Sequence, residues 1–156
     1  MSRREVIKKQ FLLPNPIYNN YLISMLLTRL IKDGRKTQAQ RIVCDTLEMI
    51  AYRLNADPVE IFEQAVKNVI PNVEVKARRF GGTTYQIPVE VTSFRGTNLA
   101  LRWLVKSAKN RSGKKIALKL ANELIDASNN SGEAIRKKQE IYKMAEANKA
   151  FAHFRS

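Results

Sequence analysis

The 156-residue sequence contains a single cysteine, Cys44, and a single histidine, His153. One cysteine cannot form an internal disulfide, and one residue of each kind is too few for a transition-metal site. No run of about 18 apolar residues is present, which excludes a membrane-spanning helix, and the basic N-terminus lacks the apolar segment of a secretory signal. We therefore expect a globular protein of the cytosol or of an organelle, with no metal and no cofactor.

Acidic residues are also few. The chain has 14 Asp and Glu against 28 Lys and Arg, which gives a formal net charge of +14. A single domain with that charge repels itself, and solubility alone does not require so much. The 44% of hydrophobic residues are nevertheless enough to bury a core without disulfides. This balance indicates that the partner is a polyanion.

The positive charge is distributed unevenly along the chain. Residues 1–36 carry eight basic and two acidic groups, residues 37–71 carry three and five, residues 72–115 carry ten and two, and residues 116–156 carry seven and five. The net charges of these segments are therefore +6, −2, +8 and +2. Solubilising lysines scattered over a surface would not separate in this way. The pattern predicts a nucleic-acid face with the second and third helices turned away from it.

Hydrophobic periodicity predicts a mainly α-helical bundle of about six helices, with one protruding two-stranded antiparallel hairpin between the third and fourth helices. The predicted starts are Asn20, a Thr37 cap, an Asp57-Pro58 cap, a position after Gly96, a position near Ala117, and Glu133. We expect one nucleic-acid-binding domain over residues 1–156. It comprises a basic arm (1–19), the hairpin (72–92) and a C-terminal helix with its tail (133–156).

The predicted hairpin reverses at Gly81-Gly82, where glycine permits the backbone of a tight turn. Strict alternation suggests that Val73, Val75 and Ala77 share one face with Tyr85, Ile87, Val89 and Val91. Arg78, Arg79 and Phe80 at the tip favour an anionic partner. Phe80 and Tyr85 either stack on unpaired bases or pack across the ribbon, and the sequence leaves both interpretations open. Trp103 lies in an apolar stripe and is expected in the core.

The sequence offers no catalytic cluster. His153 has no nucleophile or carboxylate at a suitable spacing, and Gly81-Gly82 lacks the flanking pattern of a phosphate-binding loop. We therefore expect no enzymatic activity. A DNA-bending architectural protein with a basic β-arm is the alternative from another class, although the tip has no proline wedge.

Several motifs together resemble one family. They are Lys76-Ala77-Arg78-Arg79-Phe80-Gly81-Gly82, Tyr85-Gln86-Ile87-Pro88-Val89-Glu90-Val91, Leu99-Ala100-Leu101-Arg102-Trp103-Leu104 and Met144-Ala145-Glu146-Ala147-Asn148-Lys149-Ala150-Phe151-Ala152-His153-Phe154-Arg155. In this order, and over nearly the whole length, they resemble the bacterial-type small-subunit ribosomal protein S-seven family. The resemblance implies an architectural protein that binds small-subunit rRNA and nucleates folding of its 3′ major domain, the head.

The resemblance also implies neighbours and contact residues. Family members lie near the exit-site tRNA, the mRNA exit path and small-subunit protein eleven. The residues expected near tRNA or mRNA are Arg78, Arg79, Phe80, Gly81, Gly82, Lys149, His153 and Arg155. The residues expected to contact rRNA are Arg3, Arg4, Lys8, Lys9, Arg35, Lys36, Lys76, Arg95, Arg102, Lys106, Lys109, Arg111, Lys114 and Lys115.

The compartment follows from the same comparison of motifs. Three stretches are most similar to plastid-encoded and cyanobacterial members of the family: the opening Met-Ser-Arg-Arg, Val75-Lys76-Ala77-Arg78-Arg79 and Ser93-Phe94-Arg95-Gly96-Thr97-Asn98-Leu99-Ala100. We therefore expect a protein of the plastid stroma, with the bacterial cytoplasm as the second choice.

Overall fold

The computed structural model describes residues 13–15 and 17–151, with six helices and one two-stranded sheet in that part of the chain. The elements in chain order are α1 (Tyr21–Leu30), α2 (Lys36–Leu54), α3 (Pro58–Val69), β1 (Val73–Phe80), β2 (Thr83–Glu90), α4 (Ser93–Asn110), α5 (Ile116–Ser128) and α6 (Glu133–Ala147). The predicted fold class is confirmed, including the position of the hairpin between the third and fourth helices.

Two of the helix starts follow from side-chain caps. The Asn20 side chain accepts hydrogen bonds from the Leu22 and Ile23 amides, at 2.8 and 3.3 Å, and begins α1. Asp57 accepts from the Val59 amide at 2.9 Å, and Pro58 occupies the first helical position, as predicted. These caps satisfy amides that have no partner inside the helix.

Two other starts differ from the prediction. Helix α2 begins at Lys36 without a side-chain cap, so Thr37 is already helical and the Thr37 cap is wrong. Helix α4 begins at Ser93, three residues before Gly96, whereas the predicted start lies after that glycine. Gly96 lies inside the helix. A Cβ at this position would lie 3.1 Å from Ile70 Cγ2 and 3.3 Å from the Pro71 carbonyl oxygen, so a larger residue would crowd both. Glycine therefore permits close packing of α4 against Ile70 and Pro71 and does not interrupt the helix.

The core lies between α5 and the helices around it. Leu120 and Leu124 of α5 are fully buried together with Phe62 and Leu104 from neighbouring helices. Each such side chain contributes about 1.5–3 kcal/mol through removal of apolar surface from water. Trp103 retains only 9% of its exposure, which confirms the prediction that it belongs to the core.

The hairpin has a tight two-residue turn. Gly81 and Gly82 have φ angles of +54° and +90°, which side chains rarely adopt, and Phe80 pairs with Thr83 directly before and after the turn. The register continues to Val73 opposite Glu90 at the base. Every odd-numbered residue of β1 therefore faces an even-numbered residue of β2.

This register makes the predicted faces wrong. Directly opposed residues share a face, so Val75 lies with Pro88 and Ala77 with Gln86. Ile87, which is completely buried, lies instead on the face of Lys76. An odd-numbered loop would have produced the predicted faces, but the two-glycine turn shifts the pairing by one residue.

Helix α6 anchors the hairpin to the body. The Asn72 amide, directly before β1, donates to the Tyr142 hydroxyl at 3.0 Å. Lys138 Nζ donates to the Asn68 carbonyl at 2.7 Å and lies 5.7 Å from the centre of the Tyr142 ring. An isolated hairpin is only marginally stable in water, and these contacts supply the support that it needs.

Candidate nucleic-acid interface

The hairpin tip presents two exposed arginines, Arg78 and Arg79. They precede the Gly81-Gly82 turn on adjacent positions of β1 and therefore point to opposite faces of the ribbon. Arg79 Nε reaches the Gly82 carbonyl at 3.4 Å, a long and weak hydrogen bond. The arrangement offers planar guanidinium groups, which suit phosphate or a base, on both sides of a narrow arm.

The base of the hairpin contains a nearly buried carboxylate, Glu74, with 7% exposure. Arg95 Nε from α4 donates to its two oxygens at 2.9 and 2.8 Å, and Lys76 Nζ lies 3.0 Å away. Burial raises the pKa of the Glu74 carboxyl, but the hydrogen bonds from Arg95 and Lys76 outweigh burial, so the pKa falls below its usual value. Glu74 thus orients two of the predicted rRNA contacts, whose side chains remain about half exposed.

Helix α4 carries three exposed cations on one stripe, Arg102, Lys106 and Lys109. Their spacing of four and three residues places them on the same helix face. Arg102 and Lys106 line a groove between α4 and α6, where Lys137 adds a cation and Glu133 and Glu140 add two carboxylates. This groove has mixed charge, in contrast to the hairpin tip.

A second groove joins α4 to the loop between α1 and α2. Arg35 and Lys109, both predicted to contact rRNA, line it together with Lys32 and Asp33. Lys36, the first residue of α2, is exposed directly beside Arg35 in the chain. The structure therefore brings together two segments that are 74 positions apart in the sequence. Sequence reasoning did not select Lys32 or Lys137; the basic run Lys32-Asp33-Gly34-Arg35-Lys36 was the available signal for Lys32.

Arg111 has a different environment from the other predicted contacts. Its Nε donates to Glu123 at 2.5 Å and its terminal nitrogen to Asp126, while Glu123 is completely buried. Burial by itself lowers the pKa of Arg111, but the hydrogen bonds to Asp126 and Glu123 raise it overall. The side chain is 24% exposed, so most of its donor capacity is used inside the protein. Lys114 and Lys115, in the following turn, are exposed.

The C-terminal segment lies against the hairpin. The Phe151 ring is 5.1 Å from the Tyr85 ring, centre to centre, and the two are tilted by 51°. For Tyr85, packing is therefore the observed role. Lys149 is exposed next to this contact. Arg3, Arg4, Lys8, Lys9, His153 and Arg155 lie outside the described residues, as does the side chain of Phe80.

Residues 13–15 and 17–151 contain no group of three His, Cys, Asp or Glu side chains arranged to hold a metal ion. No helix in these residues is both long enough and apolar enough to cross a membrane.

Comparison with known proteins gives a consistent result. The family model described as ribosomal protein S7p/S5e matches residues 2–149. The chain is 56% identical over 155 residues to the small ribosomal subunit protein uS7 of Gloeothece citriformis, and 56% identical to that of Acaryochloris marina. The corresponding protein of Prochlorococcus marinus is 55% identical. In each case the match covers 99% of both chains.

Proposed function

The chain belongs to the ribosomal protein S7p/S5e family, and on that premise we propose that it organises the head domain of small-subunit rRNA through a composite basic face. As a member of this family it is a structural constituent of the small ribosomal subunit and not an enzyme. Its partners are rRNA and other ribosomal proteins. The relatives give no support to the DNA-bending alternative.

The observation that carries the proposal is the convergence of separate basic segments. Three basic features come from two segments, residues 1–36 with a net charge of +6 and residues 72–115 with a net charge of +8. They are the groove with Arg35 and Lys109, the α4 stripe, and the hairpin base with Arg95. Residues 37–71, with a net charge of −2, form α2 and α3. A protein that neutralises phosphates from several RNA helices at once lowers the conformational freedom of a junction, so that later proteins can bind to it.

The individual contacts divide into two groups in this proposal. The body contacts rRNA through Arg35, Lys36, Lys76, Arg95 and the α4 stripe, with Lys114, Lys115 and the N-terminal arm Arg3, Arg4, Lys8 and Lys9 as further contacts. Arg111 contributes through its fold-stabilising pairs rather than through phosphate, because its donors face Glu123 and Asp126. The whole chain acts as one rRNA-binding domain.

The hairpin tip and the tail form the second group. We assign Arg78, Arg79, Gly81, Gly82 and Lys149, with Phe80, His153 and Arg155, to the neighbourhood of the exit-site tRNA, the mRNA exit path and protein eleven. The contact between Tyr85 and Phe151 supports this grouping because it holds the end of the described chain beside the ribbon. Site-directed hydroxyl-radical cleavage from the tip in assembled subunits tests it; cleavage confined to head rRNA would contradict it.

The ribosome in question is of the bacterial or the plastid type. The cyanobacterial relatives fit both, and we propose the plastid stroma because plastids descend from that lineage. Localisation of the gene to a plastid genome is the expected result. A gene on a bacterial chromosome would assign the protein to the bacterial cytoplasm.

The rRNA proposal is tested by filter binding of the purified protein to the isolated head-domain rRNA. We expect saturable binding whose affinity falls steeply with salt, because each neutralised phosphate releases counterions. A matched pair of variants separates the faces: Arg102→Ala with Lys106→Ala on α4, and Arg41→Ala with Lys67→Ala on α2 and α3. The first should lower affinity about tenfold or more and the second about twofold or less. Equal losses, or no saturable binding at moderate salt, would overturn the proposal.

A further inference from the structure

The outer side of α2 has a groove of a different character from the basic face. Four residues of α2, Asp45, Glu48, Met49 and Tyr52, line it with Leu118 of α5, and Arg53 of α2 completes the lining. The four α2 residues are spaced by three, one and three positions, so they form a second stripe opposite the helix's core-facing residues. The proposed rRNA function uses none of them.

Tyr52 is the most unusual member of this stripe. Its side chain is 91% exposed, the highest value among the large hydrophobic residues of the described chain. A single exposed apolar residue needs no explanation, but here the ring stands beside half-buried Met49 and Leu118. The result is an aromatic surface with apolar walls, of the kind that forms the centre of protein interfaces.

The charges of the groove select the partner. Asp45 and Glu48 form no ion pair with any residue between 13 and 151 that the structure describes, although the chain as a whole has a net charge of +14. The one cation that lines the groove, Arg53, donates to the Asn122 side chain and pairs with neither carboxylate among the described residues. Carboxylates repel RNA phosphates, so RNA is a poor occupant. Arginine fits the acidic and aromatic parts of the groove, because its guanidinium pairs with carboxylates and stacks on an aromatic ring.

We propose that this surface, defined by Asp45, Glu48, Met49, Tyr52 and Leu118, binds an extended arginine-rich segment of a neighbouring ribosomal protein. The inference rests on the proposed function for the presence of such a neighbour. The molecule then has two faces with opposite selectivity, a basic face for rRNA and an acidic aromatic groove for a basic protein segment. Both faces can be occupied at once because different residues form them.

The first test measures binding of a fluorescein-labelled synthetic peptide of alternating arginine and glycine by fluorescence anisotropy, without RNA. The double variant Asp45→Asn with Glu48→Gln should weaken binding about tenfold, because charge-assisted hydrogen bonds are lost. Tyr52→Ala should weaken it about threefold through loss of the cation–π contact. The control variant, Glu60→Gln with Glu146→Gln, changes the net charge equally at exposed positions elsewhere and should alter affinity less than twofold.

Equal weakening by the control would show nonspecific attraction and overturn the proposal, as would the absence of peptide binding to the unsubstituted chain. The second test replaces Tyr52 with photoreactive p-benzoylphenylalanine in assembled small subunits. A cross-link to an arginine-rich segment of a second ribosomal protein is the expected product. A cross-link to rRNA, to the chain's own N-terminus or to a second copy, or no cross-link at all in these subunits, would contradict it.

The two proposals fail separately. A chain that does not bind head-domain rRNA and does not co-sediment with small subunits refutes the proposed function, yet the peptide titration still reports on the groove. Conversely, the double variant at Asp45 and Glu48 should bind rRNA as well as the unsubstituted chain does.

Discussion

The hairpin base and the corner between α4 and α5 each contain an arginine paired with a glutamate, and the two pairs differ in their surroundings. At the hairpin base, Arg95 is about half exposed and Glu74 is also paired with Lys76. At the corner, Arg111 is 24% exposed and Glu123 has no contact with solvent. Glu123 also accepts a hydrogen bond from the Ala134 amide at 2.9 Å, which ties the start of α6 to α5. Two arginines that look equivalent in the sequence therefore differ in function: Arg95 remains accessible to a ligand, whereas Arg111 compensates a buried carboxylate.

The two pairs differ in the environment of the carboxylate that remains when the arginine is removed. Loss of Arg95 removes one of the two cations beside Glu74, whose side chain is 10% exposed, and leaves Lys76 in place. Loss of Arg111 leaves a buried carboxylate whose remaining described partner is a backbone amide. Breaking a buried pair is costly because the surviving charge stays desolvated. A pair with a half-exposed arginine contributes less, and at the hairpin base Lys76 still compensates the carboxylate. The hairpin-base pair can therefore release its arginine to a phosphate, and the corner pair cannot.

The largest expected effect is that of Arg111→Ala. We expect the free energy of unfolding to fall by about 3 kcal/mol because Glu123 would be left as an uncompensated buried charge. Urea denaturation followed by circular dichroism measures this loss. At a temperature where the variant is folded, its affinity for head-domain rRNA should be almost unchanged. A small loss of stability accompanied by weak rRNA binding would show instead that Arg111 contacts RNA.

Arg95→Ala provides the matched substitution in the other pair. Since Arg95 is half exposed and Lys76 still faces Glu74, the loss of stability should be about 1 kcal/mol or less. The rRNA affinity should fall several-fold, the reverse of the result for Arg111→Ala. The same urea and filter-binding measurements apply. If both variants lost equal stability, the distinction between the two pairs would be wrong.

The sequence predicts much of this fold but little of that distinction. Local signals predicted the number and order of the helices but not every start: Asp57-Pro58 begins α3 where predicted, whereas α2 and α4 begin before the predicted positions. Apolar spacing also placed Trp103 in the core. The faces of the hairpin were wrong because the apolar residues of the two strands suggested one pairing and the Gly81-Gly82 turn imposes another. Turn length decides register, and a shift of one residue reverses every side chain.

The partners of the charged residues could not be read from the sequence. Glu74 is 21 positions from Arg95, and Arg111 is 12 from Glu123, so each pair depends on how separate elements pack. Basic composition identifies a candidate set for RNA contact, but it cannot say which members are already occupied. The groove with Arg35 and Lys109 shows the opposite case, in which packing assembles a site from distant residues.

Acid titration tests the contribution of Glu74 to stability at the hairpin base. The pKa of Glu74 is lowered in the folded protein, so its contribution to stability is present above the ordinary glutamate range and is lost as the pH falls through the lowered value. Glu74→Gln should remove this part of the acid-side loss, amounting to less than about 1 kcal/mol. Thermal unfolding of both proteins from neutral pH down to about pH 3 measures the difference. Parallel curves would mean that Glu74 has the same pKa folded and unfolded.

The smallest effect on stability is expected at the hairpin tip. Arg79 forms no ion pair with a carboxylate in residues 13–15 or 17–151, and its Nε donates a long hydrogen bond of 3.4 Å to the Gly82 carbonyl. For Arg78→Ala with Arg79→Ala, both exposed, the melting temperature should change by about 2 °C or less. If both arginines meet rRNA phosphates, the slope of log affinity against log salt should decrease in magnitude by nearly 2. If they meet tRNA instead, that slope stays constant and only tRNA binding to assembled subunits weakens. Arg41→Ala with Lys67→Ala removes the same charge from α2 and α3 and should change neither. A large drop in melting temperature for the Arg78→Ala, Arg79→Ala variant would show that these arginines stabilise the fold, as Arg111 does, and are not free to contact RNA.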